Sequence, residues 1–368
     1  MNMKQVITNY YKDYIDTHFL TLSEFEELTL LFQIIYKDKF LGRDQLFNDL
    51  NELRMEIGHE SLRLIDLRFD NINHETYLDV LRSRELTGDQ RTNEWKMQRH
   101  KYITASVSAA CAGLMGPASR EYQLLEKASY GKYSSFKGGY YTDIGNIFEP
   151  ITNNHYSYIN NTRIHDYSLI PNDKHPWTFL AASTDGVAQR STELTNIEIK
   201  TLPGRIPNGK VKKEYYHQMQ HQMECLGLSH SDFIEVKYEQ VKELPINSTK
   251  PIGIIAELYH ETDGYFYEYS PAGASYNDVK DWQQSRESVI IDYNDKIFIR
   301  WIYWVQTHYS CIRVEKDPKW IVTMGPLLQK FYDELQELWK NPKEVQRRIN
   351  EKEQKTFNKK NVFTECLI

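Results

Sequence analysis

The sequence predicts an α/β fold, a sheet flanked by helices, behind a helical N-terminal extension. Three observations predict it. Segments of strand length, rich in β-branched and aromatic residues, recur at Arg163–Ile170, Trp177–Ser183, Val187–Arg190 and Ile197–Thr201. They recur again at Ser231–Tyr238, Ile252–Tyr259 and Tyr265–Tyr269. Helical runs are interleaved with them: Val211–Leu228 divides the two groups, and Leu327–Lys340 follows with Leu328, Phe331, Leu335 and Leu338 on one side. Residues 1 to 86 hold no proline and only two glycines, Gly42 and Gly58, a composition that suits helices.

With 368 residues the chain can bury a large core in one elaborated domain or two. Changes of texture divide it into an extension over 1–86, a main domain over 87–340 and a polar tail over 341–368. The tail is rich in Lys, Glu, Gln and Asn and is expected to fray. No apolar run is long enough for a membrane span and the polar start does not read as a signal peptide, so a soluble, intracellular protein without a membrane partner is expected. Cys111, Cys225, Cys311 and Cys366 are too scattered for a zinc knuckle or a disulfide framework, which fits a reducing setting. The net charge of −6 argues against a protein that coats nucleic acid nonspecifically. It leaves room for local basic patches, and there are two: Arg91–Lys101, with Lys96, Arg99 and His100, and Lys200–Lys213, with Arg205, Lys210 and Lys212.

Within the extension, Ser23 and Glu26 have capping-box spacing ahead of Leu28, Leu30, Leu31, Ile34 and Ile35. Trp95 to Ser106 reads as a helix, a turn and the start of a second helix capped by Thr104 or Ser106. Hydroxyls and free amides there, beside Arg99, would suit an anion such as a terminal phosphate. Residues 119–160 look helical, with Ile144, Ile147, Phe148 and Ile151 on an apolar face and Glu149 next to it. Pro150 predicts a kink or a helix start at that point. Phe298–Val305 and Cys311–Glu315 fit a helix or a strand equally well.

The densest chemistry lies in Phe179–Thr201, two short strands joined by a polar turn. Ser-Thr-Asp185-Gly places an acid at the end of the first strand. In the second, Glu198 and Lys200 alternate with Ile197 and Ile199, so the charged pair shares one face and the isoleucines point into a core. Two carboxylates and an ammonium converging on one volume suit a hard divalent cation and a water held for attack on a phosphodiester. The competing reading is a surface hairpin whose acids face solvent. A second rival is a zinc helix: His217 and His221 lie four apart and Cys225 continues their face. Gln218 stands where a zinc protease helix carries its glutamate base, and no further ligand is evident. Otherwise the helix packs by Tyr216, Met219, Met223 and Leu226 and presents Gln218 or Gln220 to the acids.

Taken in order, these segments resemble the phage lambda exonuclease/YqaJ viral recombinase family of the PD-(D/E)XK nuclease superfamily. The resemblance is carried by Trp95, Arg99 and Ile103-Thr-Ala-Ser106; by Gly145-Asn-Ile-Phe-Glu149-Pro; by Ala182-Ser-Thr-Asp185-Gly; by Glu198-Ile-Lys200; and by Tyr216-His-Gln218-Met-Gln220. It covers roughly residues 91–240, with a weaker echo in Arg313-Val-Glu-Lys-Asp-Pro-Lys-Trp320. Thr184 replaces the proline of the superfamily name. The resemblance implies a restriction-endonuclease-like core with a central mixed sheet. It also implies a metal-dependent 5′→3′ exonuclease on double-stranded DNA ends, serving viral or mobile-element recombination. Asp185, Glu198 and the Ile199 carbonyl would bind Mg²⁺ or Mn²⁺, Glu149 would assist a second ion, Lys200 would position the attacking water, and Gln218 would support either. Arg99, Ser106 and Thr104 would hold the 5′-phosphate, while Arg205, Lys210 and Lys212 would meet the backbone. A single-strand annealing protein and an oligomer are compatible partners. An endonuclease or RNA-cleaving enzyme of the same fold, or a silent DNA-end-binding scaffold, are the alternatives.

Overall fold

A computed structural model describes residues 29–30, 74–134, 139–190, 193–291 and 296–365, apart from 87, 89 and 91. The helices expected over residues 1–86, with their capping box, lie outside the described residues save Thr29–Leu30 and helix α1, His74–Arg84.

The main sheet has seven strands. In chain order these are β2 (Arg163–His165), β5 (Gly186–Gln189), β6 (Leu194–Thr201), β7 (His230–Val241), β8 (Ile252–His260), β9 (Gly264–Tyr269) and β10 (Ile297–Glu315). Their spatial order is β2-β5-β6-β7-β10-β8-β9. Only β6 and β7 run parallel; every other neighbouring pair is antiparallel. A parallel pair needs a crossover, and helix α6, Lys213–Leu226, supplies it. A smaller sheet, β1 (Ile103–Thr104), β4 (Leu180–Ala182) and β3 (Ile170–Pro171), lies in the order β1-β4-β3. The mixed sheet flanked by helices agrees with the expected fold class.

Helices cover both faces of the main sheet. On one face lies α5, Tyr140–Asn160, whose Ile144, Ile147, Phe148 and Ile151 pack on Val236, Tyr238, Ile255 and Trp304. Phe148 stacks on Tyr238 at 4.7 Å between ring centroids, and burying such a ring is worth about 1.5–3 kcal/mol. On the other face, Met219 and Met223 of α6 pack against Phe233 and Val314. The period-two alternation of a strand thus serves two cores. Ile199 and its partner Ile234 pack with Tyr156 of α5, whereas Glu198 is paired with Phe233, which faces α6.

Four segments depart from the sequence expectations. Pro150 neither starts nor ends a helix: α5 runs through it. The apolar stripe that flanks the proline is clamped to the sheet, which offsets the roughly 3 kcal/mol that an interior proline costs. Ile103-Thr104 is a strand rather than a helix start, because Ile103 pairs with Leu180 and is wholly buried. A 3₁₀ turn, Ala105–Val107, and a short helix, Ser108–Cys111, follow. The two ambiguous aromatic segments form one 19-residue strand, β10, held by β7 on one side and β8 on the other. The polar tail is helical over Pro342–Glu365. Val345 and Ile349, four apart, bury against the core around Phe331 and Leu335, and Glu344 bonds Arg347 and Arg348 along the exposed side.

Candidate active site

The Asp-Gly turn and β6 bring the acids together. Gly186 has φ 155°, and a Cβ there would collide with Ile164, so glycine is required after the acid. Asp185 is thereby aimed back at β6: its Oδ2 accepts the Ile199 N–H at 2.7 Å, and its own N–H donates to the Ile197 carbonyl at 3.2 Å. From the other side Asn153 of α5 donates to the Asp185 carbonyl at 2.7 Å. Asp185 therefore stands where the α5 and α6 faces of the sheet meet, in a cleft of about 880 Å³ that Glu149 and Asn153 also line.

Glu198 is 0 % exposed, which disposes of the surface-hairpin reading. Its carboxylate is saturated with donors. Lys200 pairs with Oε1, Gln218 Nε2 lies 2.8 Å from both oxygens, and Gln222 Nε2 lies 2.7 Å from Oε2. Lys200 stands 5.3 Å above the Tyr215 ring. Burial alone would pull its ammonium down, but Glu198 and Asp185 more than offset that and raise its pKa, so Lys200 stays a cation.

Asp185 is the strained member. Burial first, then the charges of Glu198 and Glu149, push its carboxyl well above the ordinary range, against the counter-effect of Lys200 and the Ile199 N–H. Three acids crowding one place with a single ammonium is the electrostatic condition that a divalent cation relieves. No group of three or more His, Cys, Asp or Glu forms a ready-made cage among the described residues. The donor set is nonetheless the kind Mg²⁺ uses: one or two carboxylates, with waters and substrate oxygens completing the shell.

Of the other expected residues, Arg99 and Ser106 meet: Arg99 Nη2 donates to Ser106 Oγ at 3.1 Å, and its guanidinium lies 4.3 Å over the Trp95 ring. Burial lowers the Arg99 pKa, with Glu126 opposing. Trp95 Nε1 in turn bonds Ser183 Oγ at 3.2 Å, which ties this corner to the Asp185 turn. Thr104 is set apart by its surroundings; it is 3 % exposed and lies in β1, so its hydroxyl is not offered to a phosphate as expected. Arg205 is engaged by the buried Glu235, whereas Lys210 and Lys212 are exposed beside it. Gln220 turns away from the acids, bonding the Glu315 carbonyl at 2.7 Å and the Asp317 N–H at 2.8 Å. The zinc reading lacks a ligand set: among the described residues no three His, Cys, Asp or Glu come together to hold a metal ion, His217 Nδ1 accepts from Trp320 at 3.0 Å, and His221 is wholly buried.

The sequence reading missed Gln222 and Asn196. Each is 0 % exposed. The available signal was spacing: Gln222 is one helical turn beyond Gln218, and Asn196 shares the strand face of Glu198.

Fold and site together define an α/β domain in which an aspartate turn, a Glu-x-Lys strand and a glutamine-bearing helix share one buried centre. The segment carrying all three, residues 94–229, matches the YqaJ-like viral recombinase domain. An uncharacterized protein of Acanthamoeba polyphaga mimivirus is 22 % identical over 82 % of this chain and 61 % of its own length; the chain thus spans about three fifths of that relative. Among solved structures, the alkaline exonuclease LHK-Exo of Laribacter hongkongensis is similar at 20 % identity and TM-score 0.43, covering 70 % of this chain and 100 % of that one. A phage-related exonuclease from Haemophilus somnus 129PT is similar at 14 % identity and TM-score 0.37, covering 65 % and 97 %. No described helix is long and apolar enough to cross a membrane.

Proposed function

We propose that this protein is a metal-dependent deoxyribonuclease, a 5′→3′ exonuclease that hydrolyses phosphodiesters at the ends of double-stranded DNA. The observation that carries the reading is the Asp185–Glu198 pair with Lys200 and Gln218 directed at it. A wholly buried Glu198 beside a half-buried Asp185 is costly to a fold, and a cation site on a phosphodiesterase is a use that accounts for it.

Asp185, Glu198 and the Ile199 carbonyl would hold Mg²⁺ or Mn²⁺, with Glu149 toward a second ion. The ions, when bound, supply Lewis-acid stabilisation of the charge that develops on the scissile phosphate. The rest is done by the chain. Lys200, kept as an ammonium, donates to oxygens entering the site and orients a water, with Gln218 steadying both through Glu198. Arg99, its plane fixed by Trp95, presents a fork suited to a terminal phosphate, and Ser106 adds a hydroxyl. Together they would place the 5′-terminal nucleotide with its next linkage beside Asp185. Exposed Lys210 and Lys212 would touch the backbone without regard to sequence, making binding salt-dependent. The same family reading extends to a role in viral or mobile-element recombination beside a single-strand annealing protein, and to an oligomer.

Purified protein incubated with end-labelled duplexes of defined termini, with and without Mg²⁺, tests the reading. Mononucleotides released from 5′-phosphorylated ends only when Mg²⁺ is present are the expected result. Lys200→Ala should abolish release with the fold intact; near-normal release by that variant, or release in EDTA, refutes the assignment.

A further inference from the structure

We propose that Gln222 is a positioning residue for Glu198, the last link of a buried relay that fixes which carboxylate oxygen can turn to a cation. The inference rests on the reading of Asp185 and Glu198 as a cation site. The relay starts at Thr184, the residue immediately before Asp185. Its Oγ1 lies 2.6 Å from Asn196 Oδ1 and accepts the Gly186 N–H at 3.1 Å. Asn196 spends its two N–H groups on Gln222 Oε1 at 3.1 Å and Ser231 Oγ at 2.7 Å. Gln222 spends its own on the Ser183 carbonyl at 3.0 Å and on Glu198 Oε2 at 2.7 Å.

The two amide bonds donate in the same sense, from Asn196 through Gln222 to Glu198, and the Thr184 hydroxyl, whose one proton has the Gly186 and Ile197 carbonyls in reach as well as the Asn196 side-chain carbonyl, stands at the head of the chain. A flipped Gln222 would put N–H against the Asn196 N–H and its carbonyl against the Ser183 carbonyl and Glu198, and a flipped Asn196 would put its carbonyl against that of Gln222, so each amide fixes the orientation of the other. Both amides are wholly buried, where water cannot substitute for a lost partner. The relay also begins and ends at the same place: Ser183 and Thr184 immediately precede Asp185, and Glu198 faces it. A polar path of this kind ties the two acids together by a route independent of the Asp185–Ile199 bond.

The two oxygens of Glu198 are therefore unequal. Oε2 is tied to a donor that is itself pinned by Asn196 and by the Ser183 carbonyl. Oε1 is held by Lys200, which reaches solvent, while Gln218 Nε2 lies 2.8 Å from both oxygens and favours neither. The relay thus leaves Oε1 as the oxygen that can exchange a donor for a cation, while Oε2 keeps the carboxylate from rotating. Outer partners of this kind orient a metal ligand and set its affinity.

The experiment is a titration of Mn²⁺ into the full-length protein, with free Mn²⁺ read by electron paramagnetic resonance and thermal melting run alongside. Gln222→Met keeps the length of the side chain and removes its donors. It should raise the Kd for Mn²⁺ by about 10–100-fold. Thr184→Val keeps the shape at the far end of the relay and should move Kd in the same direction by a smaller factor, which carries the test if Gln222→Met fails to fold. Mn²⁺ binding at wild-type Kd in the folded variants, with only the melting temperature lowered, overturns the relay and makes Gln222 a packing residue. Wild-type protein that binds no Mn²⁺, or Asp185→Asn protein that binds it as tightly as wild type, overturns the cation-site reading and the relay with it.

Discussion

Replacing Asp185 with Asn should make the metal-free protein more stable while abolishing its activity. The raised pKa of Asp185 means that its ionised form is disfavoured in the folded protein, through burial and the charges of Glu198 and Glu149. Asparagine is nearly the same shape. Its Oδ1 can still accept the Ile199 N–H that Asp185 accepts at 2.7 Å, and its amide offers the neighbouring carboxylates a donor in place of a charge. Removing one acid from such a group should stabilise by on the order of 1–2 kcal/mol, a rise of a few degrees in Tm for a chain of this size. The sign with pH follows from the direction of the shift. A carboxyl with a raised folded-state pKa takes stability away as pH rises above its unfolded value, so the advantage of the variant should be present at neutral pH and shrink as pH falls toward about 4. Divalent cation should reverse the ranking. A ligand at 100 times its Kd adds about 2.7 kcal/mol, which the wild type collects and the variant does not. Melting curves in EDTA and in Mg²⁺ at pH 7.5 therefore should cross. A variant that melts below wild type in EDTA, or that gains as much from Mg²⁺, refutes the picture of an acid pair held in tension for a cation.

Two further outcomes follow from other parts of the structure. Arg99→Ala should erase the preference for 5′-phosphorylated over 5′-hydroxyl ends while leaving slow cleavage of both; an unchanged ratio of rates on the two duplexes would remove the phosphate pocket from this corner. His221 governs part of the acid limb of stability. Its folded pKa of about 3 lies below the unfolded value of about 6.5, so the unfolded chain binds a proton that the folded one refuses. Stability is full above about 6.5 and falls by about 1.4 kcal/mol per unit below it, or about 2.7 kcal/mol by pH 4.5. His100, partly buried and lowered to about 4 by burial, Lys127 and Arg99, contributes in the same sense. Comparing urea unfolding of wild type and His221→Gln between pH 7 and 4.5 isolates the His221 share; parallel pH profiles would count against it.

What was legible in the sequence was what local chemistry enforces. Asp185-Gly186 announces its turn because no other residue avoids Ile164 there, and Glu198/Lys200 share a face because strands alternate. What was illegible depended on partners far along the chain. Helix α5 survives Pro150 only because β7, β8 and β10 grip it, and the tail becomes helical because two residues among many charges, Val345 and Ile349, find the core. Ile103-Thr104 reads locally as a helix start, and only Leu180, 77 positions away, makes it a strand.

The same division runs through the site and explains why Gln222 escaped notice while Gln218 did not. The apolar stripe of the helix leaves Gln218 or Gln220 to face the acids, and the family motif singles out Gln218. Gln222 lies among Met219, Met223 and Leu226, where a lone amide has no visible reason to be. Its reason is Asn196, a residue that reads as an ordinary strand-edge polar group until β6 and α6 are laid against each other. Two buried amides that each look misplaced become mutually satisfied only in the assembled fold, and their remaining donor is the one that reaches Glu198. The crossover that a parallel β6–β7 pair demands is what brings α6 to this face. The topology therefore does more than carry the acids: it delivers the helix that holds one of them still, while the Asp185 turn at the meeting of the two faces keeps the other open to the cleft.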